Sequence, residues 1–472
     1  MRKKKSINKK YRPHNNHLWK QIFIHQIIVA QGNFYCILTI YMKEKYIYPI
    51  VITVLSFVTR FFFLGYPNQV VFDETHYGLF ASQYLTHTHF FDLHPPLLKL
   101  LAALSAYIGG FNPNFDFARI GEVFVDPNFI FLRIVPAIAG FLLPVVIYYL
   151  AREIGISRLC AFFAGLIVVF ENSLLVQSKF LLIDGALIFF GFASILFYFL
   201  FKNHKNKYYL LVSALLLGAT ISTKWTGLAF LAIILLIELA SWIHERKTRH
   251  FNNLLVLTLI PILFYMGTFA IHFNLLTKLG PGDAFMSQNF QQKSFLGKFF
   301  ELNETMFIQN ATLTTTHPYS SRWYSWPIMK RPIFYWENGN EKIYSTGNPF
   351  IYWLSLLAVL VLFMHTLFRT RFFQSKRHVI LFILFGYCIN FLPYVILRRI
   401  SFTYYYLAAL IFAILALSII IDSLKSRRIK IISVITLLIL FTLTFLYFAP
   451  LTYGFPLSPN SFQNHLWFKT WQ

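Results

Sequence analysis

The chain is poor in acids, in charge of either sign and in cysteine. Of its 472 residues only 18 are Asp or Glu and 13% are charged, about half the fraction typical of soluble domains. Its three cysteines lie in apolar surroundings and lack metal-ligand spacing, which argues against a disulfide framework and a zinc site. The sequence also lacks a P-loop and a Gly-rich dinucleotide motif, so no nucleotide site is indicated.

Hydrophobic residues, by contrast, make up 57% of the chain. Apolar runs of about 18 residues or more indicate helices that cross a bilayer. We therefore predict an all-α polytopic membrane protein with about eleven spans. The predicted spans are residues 46–64, 130–150, 159–172, 184–201, 208–222, 226–243, 252–273, 350–368, 379–396, 402–422 and 430–448. Several are short for a bilayer core, so one or two could be kinked or partly re-entrant.

The net charge of +24 comes mainly from short basic loops between these spans. In a soluble protein this excess would suggest nucleic acid, but here it is typical of topology signals and of binding to anionic lipid headgroups. We therefore expect membrane lipids, and no nucleic acid, as partners. With the N-terminus in the cytoplasm, the inner loops are 152–158, 202–207, 244–250, 369–378 and 422–430.

This topology divides the chain into three parts. A membrane domain, 46–450, carries two large outer loops at 65–129 and 274–349, and it lies between a basic cytoplasmic tail, 1–45, and an outer tail, 451–472. Residues 1–41 lack the features of a signal peptide. We hypothesise that they are a dispensable or misassigned extension, which N-terminal sequencing of the expressed protein would test.

Charged residues from distant parts of the sequence fall at the predicted outer side. Charges close to a bilayer are costly unless they face protein or water, so such residues are candidates for a functional site. The candidates are Arg60, Asp73, Glu74, Arg133, Asp184, Lys224 and Arg399, with His94 in the run from Phe91 to Lys99. Cations can hold a lipid phosphate and stabilise the charge that grows on it as it leaves. A carboxylate can accept the proton of an attacking hydroxyl.

Other interpretations of these residues stay open. Each arginine alone could extend to the interface, and the pair Asp73-Glu74 could be solvated. A transporter or flippase with a charged vestibule would also place charge at one face. The absence of paired halves in the sequence, and the position of the charges outside the predicted mid-membrane zone, disfavour that class.

The order of several motifs resembles the protein O-mannosyltransferase family. The matching segments span about residues 46–450. They are Arg60-Phe-Phe-Phe-Leu-Gly-Tyr-Pro67, Val71-Phe-Asp-Glu-Thr-His-Tyr-Gly78, Phe91-Asp-Leu-His-Pro-Pro-Leu97, Arg133-Ile-Val-Pro136, Leu182-Ile-Asp-Gly185, Thr223-Lys-Trp-Thr-Gly227, His317-Pro-Tyr-Ser-Ser321, Gly347-Asn-Pro349 and Arg399-Ile-Ser-Phe-Thr-Tyr-Tyr-Tyr406.

The resemblance implies a GT-C glycosyltransferase fold and an inverting transfer of mannose from a polyprenyl (dolichyl-type) phosphate to Ser or Thr of exported proteins. It also suggests a location near the translocon. It implies that Asp73 is the general base and that Glu74 positions the acceptor or the sugar. Arg60, Arg133 and Arg399 would serve the donor phosphate. Lys224, His94 and Asp184 match polar positions with less specific roles at the substrate. No metal and no cofactor are expected, because the lipid-linked sugar is itself a substrate.

The sequence departs from the family pattern in three places. The second outer loop lacks room for the MIR β-trefoil insert of eukaryotic members, and in this respect the chain resembles bacterial members. This resemblance suggests an outward-facing site in a bacterial plasma membrane. In a eukaryote the membrane would be that of the endoplasmic reticulum. Leu98 replaces a usual Gly, and Tyr405 replaces a usual His. A GT-C enzyme that acts on a lipid or glycan, such as an aminoarabinose transferase, is the alternative.

Overall fold

The protein is described by a computed structural model that covers residues 45–313, 316–368, 373–396 and 399–472. The hypothesis about residues 1–41 lies outside these described residues. The larger compact unit runs from Val51 to Gln472, and of the smaller unit, Met1–Ile50, residues 45–50 are described and helical. The predicted boundaries of the tails and the membrane domain stay a prediction.

The described chain is helical, with a single two-stranded sheet. The helices are α1 (45–61), α2 (Glu74–Thr86), α3 (Leu97–Ile108), α4 (Ile130–Glu153), α5 (Arg158–Val169), α6 (Asn172–Lys179), α7 (Ile183–His204), α8 (Lys207–Thr223), α9 (Leu228–Glu245), α10 (Thr248–Leu275), α11 (Phe295–Thr312), α12 (Pro349–Phe368), α13 (Arg377–Phe391), α14 (Leu407–Asp422), α15 (Arg427–Tyr453) and α16 (Pro459–His465). Strands β1 (Ile333–Asn338) and β2 (Glu341–Ser345) form an antiparallel hairpin.

Each of the predicted spans coincides with a helix, which confirms the polytopic helical class. Within the described residues, eight helices are long and apolar enough to cross a membrane, or up to nine if a bent pair counts as one span. The predicted number of eleven is therefore not confirmed. The apolar helices α3 and α8 are shorter than these candidate spans, and α3 lies in what the sequence predicted as an outer loop.

The helices differ in which surface they bury. Most residues of α14 and α7 are buried inside the bundle, whereas fewer than a third of the residues in the apolar stretches of α9, α10 and α15 are buried. On α15 the exposed apolar residues recur every three or four positions along one face. They are Ile432, Ile435, Ile439, Leu443 and Leu446. Such a stripe is suited to contact with lipid acyl chains.

The predicted short span 159–172 is a broken helix. α5 and α6 are bent by 58° at a break of two residues, which leaves helix-end carbonyl and amide groups in need of partners. Buried Arg60 donates to the carbonyls of Val168 and Val169, each at 2.8 Å. Across the break, Glu171 accepts from the amides of Ser173 (3.2 Å), Leu174 (2.6 Å) and Asn348 (3.0 Å).

Three of the predicted inner loops meet at one end of the bundle. Asp422, at the end of α14, accepts from the Lys376 ammonium (3.0 Å), the Lys430 ammonium (3.5 Å) and the backbone amide of Ser157 (3.2 Å). These residues come from the loops 369–378, 422–430 and 152–158. Their convergence agrees with the predicted grouping of the basic loops at a common face.

The two predicted outer loops are largely structured. The first contains α2 and α3, which pack against each other, and α3 also packs on α4. The second contains α11 and the β1–β2 hairpin. In this arrangement four parts of the chain lie close together and carry the charged residues of the candidate site. They are the start of α2, the segment before α3, the start of α9 and the residues before α14.

Candidate active site

Asp73 lies at the N-terminal end of α2 with an unengaged side chain. It occupies the N-cap position without making a capping hydrogen bond, and its half-buried carboxylate has no hydrogen-bond partner among the described residues. The preceding Phe72 has a left-handed backbone with φ of 50°, a conformation that costs energy for a bulky residue. The Phe72 ring stacks on Tyr335 at 4.1 Å and 4°. The hairpin thus stabilises the turn that presents Asp73.

Glu74, one residue on, is fully engaged. Arg133 donates to both of its carboxylate oxygens, from Nε at 2.8 Å and from Nη2 at 2.7 Å. The backbone amides of Val71 and Leu181 donate to the same carboxylate, each at 3.0 Å. The charged pair is buried, with 1% and 3% of the two side chains exposed. It therefore joins α2 to α4 and to the turn before α7.

A second ion pair lies beside Asp73. The Lys224 ammonium, just before α9, contacts both oxygens of Asp184 at the start of α7, at 2.9 and 3.1 Å. The same ammonium lies 5.3 Å from the ring centre of Tyr404 and 4.6 Å from that of Tyr405. These aromatic faces favour a cation at this position.

The run before α3 contributes a further buried pair. Lys99 forms an ion pair with Asp92 and donates to the His94 carbonyl at 2.7 Å. Burial, together with Lys224, Lys99 and Arg399, lowers the pKa of His94 to about 3, although Asp92 opposes this shift. His94 is therefore a neutral imidazole near pH 7.

Arg399 connects the end of α11 to the residues before α14. One of its Nη atoms donates to the Asn310 side chain, and the other lies 3.3 Å from the Tyr405 hydroxyl. Asn310 in turn donates to the carbonyl of Leu93 at 2.8 Å. These hydrogen bonds connect the second outer loop, through Asn310, to the segment that holds His94.

The pKa of Asp73 is raised from 3.8 to about 7. Burial is the main cause, because it disfavours the charged form. The Lys224 ammonium opposes the shift, and the carboxylates of Asp184 and Asp92 add to it. A carboxylate with a pKa near neutrality suits a general base, since it is both available and basic enough at pH 7.

The structure divides the predicted site residues into two groups. Asp73, Asp184, Lys224, His94 and Arg399 lie together, linked by contacts or by electrostatic influence on one another. The other predicted site residues belong to separate sets of contacts: Arg133 pairs with Glu74, and Arg60 donates to the carbonyls at the end of α5. The roles predicted for all of these residues at the substrate stay predictions.

Sequence reasoning did not select three residues of this cluster. Asp92 and Lys99 were visible as charges in an apolar run, and that signal could have placed them in the site. Asn310 carries no comparable signal, because its contacts with Arg399 and Leu93 cross more than 80 residues of sequence. Within the described chain, no group of three or more His, Cys, Asp or Glu side chains could hold a metal ion; independence of metal stays a prediction.

Comparison with known proteins assigns the fold and the family. The family model described as dolichyl-phosphate-mannose-protein mannosyltransferase matches residues 50–277. The model for the C-terminal four-helix membrane region of protein O-mannosyltransferase matches residues 295–471. Mannosyltransferase 4 of Candida albicans is 35% identical over 261 residues, or 51% of this chain. The match covers 35% of that relative, so the chain spans about a third of its length.

Solved structures share the fold at low sequence identity. The Saccharomyces cerevisiae Pmt1-Pmt2 complex bound to the sugar donor superposes with a TM-score of 0.86 at 21% identity, over 91% of this chain and 93% of that one. ArnT from Cupriavidus metallidurans, bound to undecaprenyl phosphate, gives 0.52 at 14% identity, over 83% and 62%. The predicted GT-C fold is thus confirmed. The two family models together cover most of the sequence, and the chain belongs to the protein O-mannosyltransferase family.

Proposed function

We propose that this protein transfers mannose from a polyprenyl-phosphate donor to Ser or Thr hydroxyls of exported polypeptides. The observation that supports this best is the contrast between two adjacent carboxylates. Glu74 is saturated by four hydrogen bonds, whereas Asp73 is unengaged and has a pKa of about 7. Asp73 is therefore the available base.

In the proposed reaction, the acceptor oxygen attacks the anomeric carbon as the bond from that carbon to the phosphate oxygen breaks. Asp73 takes the hydroxyl proton, and the polyprenyl phosphate leaves from the opposite face, which inverts the anomeric centre. The departing phosphate gains negative charge. Lys224 and Arg399 are the cations placed to stabilise it, with Arg399 able to bind two oxygens. Holding both reactants in line supplies much of the rate.

We further propose that the site faces the outer side of the membrane, close to the translocon that delivers unfolded acceptors. The basic loops converge on Asp422 at the C-terminal end of α14, whereas Tyr405, beside Lys224, precedes its N-terminal end. The positive-inside rule then supports this orientation. The second outer loop holds α11 and a two-stranded hairpin within its described residues. That compact loop agrees with a bacterial plasma membrane enzyme.

The test is transfer by purified protein in liposomes supplied with polyprenyl-phosphate mannose and a Thr-rich peptide, followed by mass analysis of the peptide. Asp73→Asn should lower turnover by about 10²–10⁴-fold, the usual contribution of a general base, while insertion and abundance stay normal. Asp116→Asn, at an exposed acid of the first outer loop, is the matched control. Near-normal turnover of Asp73→Asn would remove this residue from the mechanism. Mannose transferred to lipid instead of to the peptide would favour a lipid acceptor.

A further inference from the structure

A polar cavity of about 940 Å³ lies next to the candidate active site. Its described lining comes from the end of α11, from residues within 316–331, from Tyr394 and Val395, from 399–401 and from Thr470. Four cations line it: Arg322, Lys330, Arg331 and Arg399. Among the described residues that line the cavity there is no Asp or Glu. A volume of this size is typical of pockets that enclose a drug-sized ligand, and it can therefore hold a few side chains of a peptide.

The cations of the loop segment are available for a ligand. Within the described parts of the chain, Arg322, Lys330 and Arg331 have no carboxylate within ion-pair distance and no side-chain hydrogen bond. The Nε of Arg331 is buried and has no hydrogen-bond partner among the described residues. A buried donor without an acceptor is unusual in a folded protein, and together the three side chains form a site of unbalanced positive charge.

The contacts of Arg399 distinguish this cavity from the donor phosphate position. The phosphate leaves the carbon that the Asp73-activated hydroxyl attacks, and Lys224 is the cation whose charge acts on Asp73. Of the four cavity cations, Arg399 is the one that the described contacts link to Lys224, through Tyr405, which leaves the three loop cations for another ligand. The cavity wall also contains Ser320, Ser321 and Ser401, which suit a polar peptide better than a polyprenyl chain.

Arg399 connects the cavity to the reaction centre. It lines the cavity and contacts Tyr405, whose ring lies under the Lys224 ammonium. A polypeptide with its Ser or Thr at Asp73 could therefore place neighbouring residues in the cavity. Acidic residues of the peptide in this cavity would meet the positive charge of its cations, and such complementary charge contributes to binding and to the choice of partner.

We infer that the cavity binds acidic side chains that flank the acceptor Ser or Thr, and that it makes the enzyme prefer acidic acceptor segments. The inference rests on the proposed function, since it assigns a further binding site to the same reaction. The preference acts on acceptor binding, so it should change KM more than kcat.

The experiment compares matched peptides with a central Thr that carry Asp, or Asn at the same positions, within three residues on either side. With the wild-type protein we expect kcat/KM for the best Asp peptide to exceed that of its Asn counterpart by about fivefold or more, the upper range for a part-exposed ion pair. The difference should lie in KM and shrink as salt is added.

The triple variant Arg322→Gln, Lys330→Gln, Arg331→Gln should bring the Asp-to-Asn ratio close to one. The charge-conserving variant Arg322→Lys, Arg331→Lys should keep the preference, which a purely structural role of the arginines would not predict. Arg119→Gln, at an exposed cation of the first outer loop, is the control and should keep the wild-type ratio. Each variant's thermal unfolding is compared with that of the wild type.

Equal use of both peptides by the wild-type protein would overturn the inference, as would a preference that survives in the folded triple variant. An effect of the triple variant that is equal for both peptides and follows the anionic lipid content would assign the cavity to headgroups instead. Transfer to the Asn peptide establishes the proposed function on its own. Absence of transfer to any peptide would refute that function, and the acceptor site with it.

Discussion

Replacing Glu74 by Gln should destabilise the protein by about 3–5 kcal/mol, the usual cost of removing one partner of a buried ion pair. The Glu74 carboxylate accepts four hydrogen bonds, two on each oxygen. The amide nitrogen of Gln is a donor, so whichever oxygen it replaces will face two donors. Arg133 would also keep its charge in a site with only about 1% of its side chain exposed.

The partner residue makes a double-mutant cycle possible. Arg133 also donates to the carbonyls of Leu64, Pro67 and Gln69, so Arg133→Met alone removes both the charge pair and these bonds. The double variant Glu74→Gln, Arg133→Met leaves no unpaired charge. We therefore expect it to be less destabilised than the sum of the single variants, by about 2–3 kcal/mol.

The measurement is unfolding of the purified protein in lipid nanodiscs, together with the donor KM at a temperature where all variants are folded. Asp73→Asn is the comparison, because it should lose activity without losing stability. A wild-type unfolding midpoint for Glu74→Gln would contradict the structural role. If Arg133→Met instead kept its stability and raised only the donor KM, Arg133 would serve the donor phosphate as the family resemblance implies.

Two further predictions follow from the charges around Asp73 and from the helix break. The rate constant kcat/KM should rise with pH and level off above about 7 as Asp73 ionises. Lys224→Gln should move the pH profile of the residual activity to higher pH, because the Lys224 ammonium stabilises the Asp73 carboxylate. Asp184→Asn should move the profile to lower pH, because the Asp184 carboxylate raises the pKa of Asp73. Opposite shifts would exclude Asp73 as the titrating base. Arg60→Leu and Glu171→Gln should each lower the unfolding midpoint, because each leaves backbone groups at the helix break without a partner. The expected loss of stability is about 1–3 kcal/mol. Unchanged midpoints together with a raised donor KM would instead assign Arg60 to the donor.

The sequence predicted the helices because burial in lipid requires long apolar runs, and such runs are visible without knowledge of the fold. It also indicated that one or two short spans could be kinked, but not that the kinked span would be 159–172 or that this span would continue to Lys179. The break depends on Arg60, which lies about 108 positions away from the carbonyls that it satisfies. Its contribution follows from tertiary contacts that a local pattern does not encode.

The convergence of charge at one face was also predictable, since spans of alternating direction place every second loop on the same side. The pairing within the cluster was not. The sequence offers Asp184 and Glu74 as partners for several cations, and only the structure shows that Lys224 pairs with the first and Arg133 with the second. Which cation lies beside Asp73 depends on this choice.

The different states of Asp73 and Glu74 come from one local feature of the backbone. The left-handed conformation of Phe72 ends the extended segment that precedes α2, and the helix begins directly afterwards at Glu74. Side chains at consecutive positions in the first turn of a helix point about 100° apart. The Glu74 carboxylate therefore reaches Arg133, whereas the Asp73 carboxylate does not. The Tyr335 ring packed on Phe72 holds this turn in place. The hairpin that carries Tyr335 therefore connects the second outer loop to the position of the base, although it contributes no charged group to the cluster around Asp73.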